Sequence, residues 1–180
     1  MCRISPNGES AAAETIAQLR AVLGDTAVDI QHVGSTAIRT ICAKPILDIA
    51  VGVREPEDVM RFAEPLAEIG IRCSKRDVAE QILFVMGDFA RGTRTHHIHV
   101  VQWDGAAWHN YLNFRDYLNA FPEKAKEYEE RKRTLAAEFA DARGSYTAGK
   151  QTLIESLLKE AADWRKMRAG TRGALAEVAR

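Results

Sequence analysis

A single acidic side chain set in an apolar run constrains this chain most. Ile46-Leu47-Asp48-Ile49-Ala50-Val51 reads as a buried strand, with Asp48 as its one charged member. An ionised carboxylate in such a place is costly unless a metal, a cation or a fan of hydrogen-bond donors pairs with it. The segment before it narrows the choice. Ala27-Val28, Ile30 and Val33 form a shorter strand, and Gly34-Ser35-Thr36 follows directly. Gly34 lets the backbone approach a ligand closely, and Ser35 and Thr36 are suited to cap a following helix whose N–H groups attract an anion. Two readings stand side by side. One is a phosphate at the turn with a metal at Asp48; the other is a strand, a capped turn and a structurally satisfied Asp.

The rest of the chain supplies a sheet and then helices. Residues 10–23 form a first helix with Ser10 as N-cap, apolar at Ile16, Leu19, Val22 and Leu23, and ended by Gly24. Residues 56–69 form the next, with Pro56 in its first turn and Pro65 opposing a long straight helix. Strands near 71–75, 81–87 and 97–102 complete a mixed sheet. From Trp108 the pattern turns helical: one helix to the break at Phe121-Pro122, a second from Glu123 ending by Gly144, and a third from about Thr147. The tail after Trp164, rich in Arg, Ala and Gly, reads as a frayed helix or a flexible end. The expected fold class is α+β, a mixed sheet with helices on one side and a helical C-terminal third. It comprises one domain over residues 1–165 and a tail over 166–180.

Composition enters as a set of exclusions. With 25 basic and 25 acidic residues the chain has no formal net charge, so no global field draws in a long nucleic acid and phosphate binding requires a local cluster. Cys2, Cys42 and Cys73 are scattered and lack metal-ligand spacing, which reads as reduced thiols in a cytoplasmic protein. Residues 1–13 lack the apolar core of a signal peptide, and no run reaches membrane-spanning length. Walker, Rossmann and Gly-x-Ser-x-Gly patterns are absent.

The chemistry-bearing residues outside the first block are mostly His and basic. His97 and His99 share one face of a strand while Ile98 turns away, so the pair can ligate a transition metal and join Asp48 if the strands adjoin. His96 faces the other way. Lys44, just before Pro45, sits at the mouth of the strand, placed to neutralise a phosphate or to be solvated. Arg115 lies on the apolar side of its helix and needs an anionic or carbonyl partner. Arg94 and Lys132 extend a local basic pocket, and Tyr146 and Lys150 are one helical turn apart. Ion pairs that stabilise the fold are the alternative for each. Trp108, Tyr111 and Leu112 recur at packing intervals and read as core.

These residues fall into three ordered blocks. The first is His32-x-Gly34-Ser35-Thr36 followed by Ala43-Lys44-Pro45-x-x-Asp48-Ile49. The second is Arg94-Thr95-His96-His97-x-His99-Val100. The third is Phe114-Arg115-Asp116-Tyr117-Leu118 with Lys132, Tyr146, Thr147 and Lys150. Together they resemble the GrpB family over about residues 28–158. The resemblance implies a nucleotidyltransferase-like sheet, a divalent metal ion (Mg, Mn or Zn) and a nucleoside triphosphate. The implied activity is nucleotidyl or phosphoryl transfer to a small-molecule acceptor. Asp48, Lys44 and Arg115 would be catalytic. Gly34, Ser35, Thr36, Arg94, Lys132, Tyr146 and Lys150 would bind the nucleotide, and Asp48, His97 and His99 the metal. The alternative is a non-catalytic accessory or small-ligand binding protein, since a similar domain is found appended to dephospho-coenzyme A kinases.

Two departures matter. Most nucleotidyltransferases carry two carboxylates at alternate positions of this strand, whereas here the partner position is Ala50. The usual Pro-Gly turn of the family is replaced by Arg39-Thr40, which adds a contact for an acidic group or phosphate.

Overall fold

The structure, a computed structural model, describes the backbone of residues 8–77, 81–138 and 143–178 and the side chains within 8–74, 81–138 and 151–168. The chain divides into two compact units, Met1–Leu112 and Asn113–Arg180. As expected, the architecture is α+β with a mixed sheet flanked by helices and a helical C-terminal region. No helix among the described residues is long and apolar enough to cross a membrane.

The first unit opens with α1 (Gly8–Leu23). The five strands are β1 (Ala27–Val33), β2 (Leu47–Val53), β3 (Ile71–Asp77), β4 (Gln81–Met86) and β5 (His96–Gln102). Their order is β1-β2-β5-β4-β3. Only β2 and β5 run parallel; the other neighbouring pairs are antiparallel. The inner strand β2 is buried at every position except Asp48, which suits a strand covered on both faces. Period-2 alternation then divides the sheet. Ile49, Val51, Val53, Ile98 and Val100 join Ile82 and Phe84 in a buried cluster with Leu19, Leu23, Val59 and Leu66. On the other face Val33, Ala50 and Val101 are buried with Trp108, and Tyr111 and Leu112 pack against them. These residues belong to the first turns of α3 (Ala106–Ala120), so helices cover both faces rather than one.

Several local expectations change. Glu9 stands in the first turn of α1, where a carboxylate favours the helix dipole, and the helix begins at Gly8, so Ser10 does not cap it. The turn after β1 leads into a single 3-10 turn, Ser35–Ala37, with no side-chain cap, so Ser35 and Thr36 do not cap a helix. Residues 56–69 split into a 3-10 segment, Pro56–Phe62, and α2 (Ala63–Glu68). Pro65 thereby falls in the first turn of α2, where its missing N–H costs nothing. Cys42 is disulfide-bonded, while Cys73 is a free, exposed thiol. Cys2 lies outside the described residues.

In the second unit α4 (Pro122–Glu138) begins at the proline that follows Phe121, and α5 runs Arg143–Val178. Gly144 therefore lies inside α5 rather than ending α4. Phe114 meets Tyr128 edge-on at 5.3 Å, and Tyr117 donates to Glu160 at 2.8 Å.

Gly52 is the position where the covered face of β2 has no room. An added Cβ would lie 2.9 Å from Trp103 Cδ1 and 3.0 Å from Trp108 Cζ3. Gly52→Ala is expected to lower unfolding free energy by about 1–3 kcal/mol, the usual cost of overpacking, read by urea denaturation.

Candidate metal centre

The parallel pairing of β2 with β5 builds the site. Asp48 is in register with His97, and Ala50 with His99. All four face the side covered by α3, and the small side chain of Ala50 leaves His99 a clear path to the carboxylate. His97 Nδ1 and His99 Nε2 each lie 3.3 Å from Asp48 Oδ1. One ligand atom from each residue falls within 4.8 Å of the other two. Side-chain exposure is 27% for Asp48, 29% for His97 and 15% for His99, so the group lies near the surface without being freely solvated.

The turn touches the same carboxylate. Gly34 has φ 71°, and an added Cβ would lie 2.7 Å from Asp48 Cβ and nearer still to Oδ2. Only glycine both adopts this backbone and admits Asp48 beside it. His32 ties the loop to β1: its Nε2 pairs with Thr36 Oγ1 at 2.9 Å. His96, as its phase predicts, turns to the opposite face, where it pairs with Thr15 of α1 at 3.1 Å. Burial, aided by the charge of His97, lowers the His96 pKa.

Burial would raise the Asp48 carboxyl, but hydrogen bonds and charge from His97 and His99 outweigh it and hold the group down from 3.8 to about 2. A 3.3 Å separation is long for a charge-assisted hydrogen bond, about 2.7–2.9 Å. It fits two ligand atoms on one tetrahedral ion, which sit roughly 3.3–3.6 Å apart for metal–ligand bonds near 2.0–2.2 Å. The donor set, two imidazoles and one carboxylate, suits Zn²⁺ or Mn²⁺ better than Mg²⁺, which prefers oxygen.

Two further residues were not legible as parts of this site. Tyr111 Oη pairs with His99 Nδ1 at 3.0 Å and donates to Gln81 Oε1 at 3.0 Å. Its ring stands 4.9 Å from that of His99. Burial, then the charge of Asp48, pushes the phenol pKa upward, so the O–H keeps its proton. Helical spacing marks Tyr111 as core, and its ring does pack there; only the strand-edge Gln81 and the register of His99 reveal the role of its hydroxyl.

The predicted basic residues have these neighbours, each within its own unit. Lys44 is exposed ahead of β2. Arg94 reaches Ser74 at 3.4 Å, and Arg39 forms an exposed ion pair with Glu9 at 3.3 Å. Arg115 has the anionic partner that its position demands, Asp116 at 2.8 Å, and Asp116 also holds Arg165 at 2.8 Å. Lys132 lies over the Tyr128 ring at 4.8 Å. The side chains of Tyr146 and Lys150 lie outside the described residues.

The family described as GrpB protein matches residues 2–160. The chain belongs to the GrpB family. It is 40% identical over 145 residues to the glutamate-rich protein GrpB of Alkalihalophilus pseudofirmus, covering 79% of this chain and 83% of that one. It is 35% identical over 159 residues to the UPF0157 protein YqkA of Bacillus subtilis, covering 88% of this chain but only 46% of that longer protein. The crystal structure of the conserved protein GrpB from Enterococcus faecalis superposes with a TM-score of 0.80 at 28% identity, covering 89% of this chain and 96% of that one. The Cid1 poly(U) polymerase superposes with a TM-score of 0.53 at 17% identity over 82% of this chain and 49% of its own. The fold is thus shared with the Enterococcus faecalis GrpB protein and with part of the Cid1 poly(U) polymerase.

The depressed Asp48 carboxyl stabilises the folded chain at pH above about 4, and this contribution fades as pH falls through about 2. Asp48→Asn in metal-free protein is expected to lose up to about 2 kcal/mol at pH 7. The gap from the parent narrows in urea titrations between pH 4 and pH 2.

Proposed function

We propose that this member of the GrpB family is a divalent-metal-dependent transferase that moves a nucleotidyl or phosphoryl group from a nucleoside triphosphate to a small-molecule acceptor. The observation that carries the reading is the close contact of the Gly34 turn with the Asp48 carboxylate, beside two imidazoles at ligand spacing. It occurs on a fold shared with nucleotidyltransferases. Asp48, His97 and His99 hold the ion, which when bound polarises a phosphoryl oxygen as a Lewis acid. Gly34, Ser35 and Thr36 offer their backbone and hydroxyls to the terminal phosphate. Lys44 and Arg115 counter negative charge developing on the transferred group. Arg94, Lys132, Tyr146 and Lys150 bind the remainder of the nucleotide. The zero net charge favours a small acceptor over a long nucleic acid.

Ala50 favours a second reading, a non-catalytic accessory or small-ligand binding protein on the same scaffold. That position is fully buried beside Trp108, so β2 offers one carboxylate where two would grip a pair of ions. Activity and calorimetry separate the two readings. With Zn²⁺ or Mn²⁺ and a labelled triphosphate, the transferase reading expects label on an acceptor. It also expects Asp48→Asn to reduce transfer by roughly 10²-fold or more while circular dichroism is unchanged. Absence of heat on titrating nucleotides into metal-supplemented protein would sink the transferase reading and favour the accessory one.

Metal affinity is expected to weaken as pH falls, because histidine ligands bind only when unprotonated. His97→Ala and His99→Ala are each expected to bind Zn²⁺ at least tenfold more weakly than the parent by calorimetry.

A further inference from the structure

We infer that Tyr111 and Gln81 are positioning residues that fix the proton of His99 on Nδ1, so that Nε2 presents its lone pair beside Asp48 to an imidazole-preferring transition ion. This rests on the metal reading of the site and adds the device that prepares one ligand for it.

The number of protons available to the three groups fixes the tautomer. Gln81 Oε1 can only accept, and Tyr111 Oη has one proton, directed to Gln81 at 3.0 Å. Toward His99 the same oxygen is left with lone pairs. A 3.0 Å approach of Nδ1 to those lone pairs is attractive only if Nδ1 carries hydrogen. A neutral imidazole protonated on Nδ1 is bare on Nε2, and Nε2 stands 3.3 Å from Asp48 Oδ1. Two acceptors at that distance repel unless a cation or a second proton lies between them. A metal that replaces that second proton leaves the Nδ1–H···Oη contact untouched.

The relay is also well held. The Tyr111 ring packs against the cluster of Val33, Ala50, Val101 and Trp108. Gln81 stands at the start of β4, in register with Val101 on β5. Among the described residues His97 has no such partner on its remote nitrogen, so the relay singles out His99, the less exposed of the two imidazoles. Hydrogen-bonded second partners of this kind fix tautomer and ring orientation in metal-ligating histidines.

The test uses the full chain and needs no substrate. Long-range nitrogen-proton NMR on labelled protein reads which ring nitrogen of His99 carries the proton, and titration with Co²⁺ followed by visible absorption reads affinity. The parent is expected to show a protonated His99 Nδ1 both with and without Co²⁺. Tyr111→Phe removes the acceptor, so the neutral ring moves its proton to Nε2, and Co²⁺ is expected to bind roughly 10–100-fold more weakly. Gln81→Leu turns the Tyr111 proton toward His99 and has the same effect. Gln81→Glu, which only accepts, keeps Nδ1 protonated and the affinity near that of the parent. A bare Nδ1 in the parent, or Tyr111→Phe and Gln81→Leu both binding Co²⁺ as the parent does, overturns the inference while the metal reading stands. A parent that binds no Co²⁺ overturns both.

Discussion

The in-register parallel pairing of β2 with β5 is the interaction on which the site depends. It sets Asp48 directly beside His97 and places His99 diagonally across from it, so one carboxylate oxygen meets two imidazole nitrogens. Without these neighbours Asp48 would be a charge in an apolar strand, with a desolvation cost of several kcal/mol. Antiparallel pairing of β1 with β2 then brings Val33 opposite Asp48, and the chain must turn immediately afterwards. The turn comes so close to the carboxylate that Gly34 is required. Sheet register, turn conformation and the charge state of Asp48 are therefore consequences of one another.

Ala50 explains why a second carboxylate is not simply missing from an otherwise open site. The position lies in a dry cluster with Val33, Val101 and Trp108, and His99 stands across from it. A carboxylate at position 50 would be desolvated against the Trp108 ring and would crowd His99. The two imidazoles and the α3 cover go together with a small residue there. The candidate site consequently pairs one carboxylate on β2 with two imidazoles on β5, a donor set of one oxygen and two nitrogen groups.

Much of this was legible in the sequence because strand periodicity is simple. Asp48 announced itself by its apolar neighbours, and His97 and His99 by the interposed Ile98. His96 was assigned to the opposite face by the same alternation, where it meets Thr15. Less local features were hidden. Tyr111 has the spacing of a core aromatic and is one; its hydroxyl partners come from β4 and β5 and cannot be read from helix phase. Arg115 demanded an anionic or carbonyl partner, but helix phase does not show that the neighbouring Asp116 supplies it. The turn after Gly34 was read as a helix start because Ser35 and Thr36 favour caps, while the real constraint was the room left by Asp48. Cys42 gave no sign of its bridge.

The sequence His96-His97-Ile98-His99 carries one more consequence. Successive side chains of β5 serve opposite masters: His97 and His99 the polar site, His96 and Ile98 the helix-covered core. A slip of β5 by one residue would exchange the two sets, pressing Ile98 toward Asp48 and driving two imidazoles into the layer held by Leu19 and Val59. Such an error has no intermediate form, since every side chain changes face at once. The hydrophobic half of the strand thus proofreads the histidine half, and a correctly assembled ligand set is inherited from the packing of residues that never touch it.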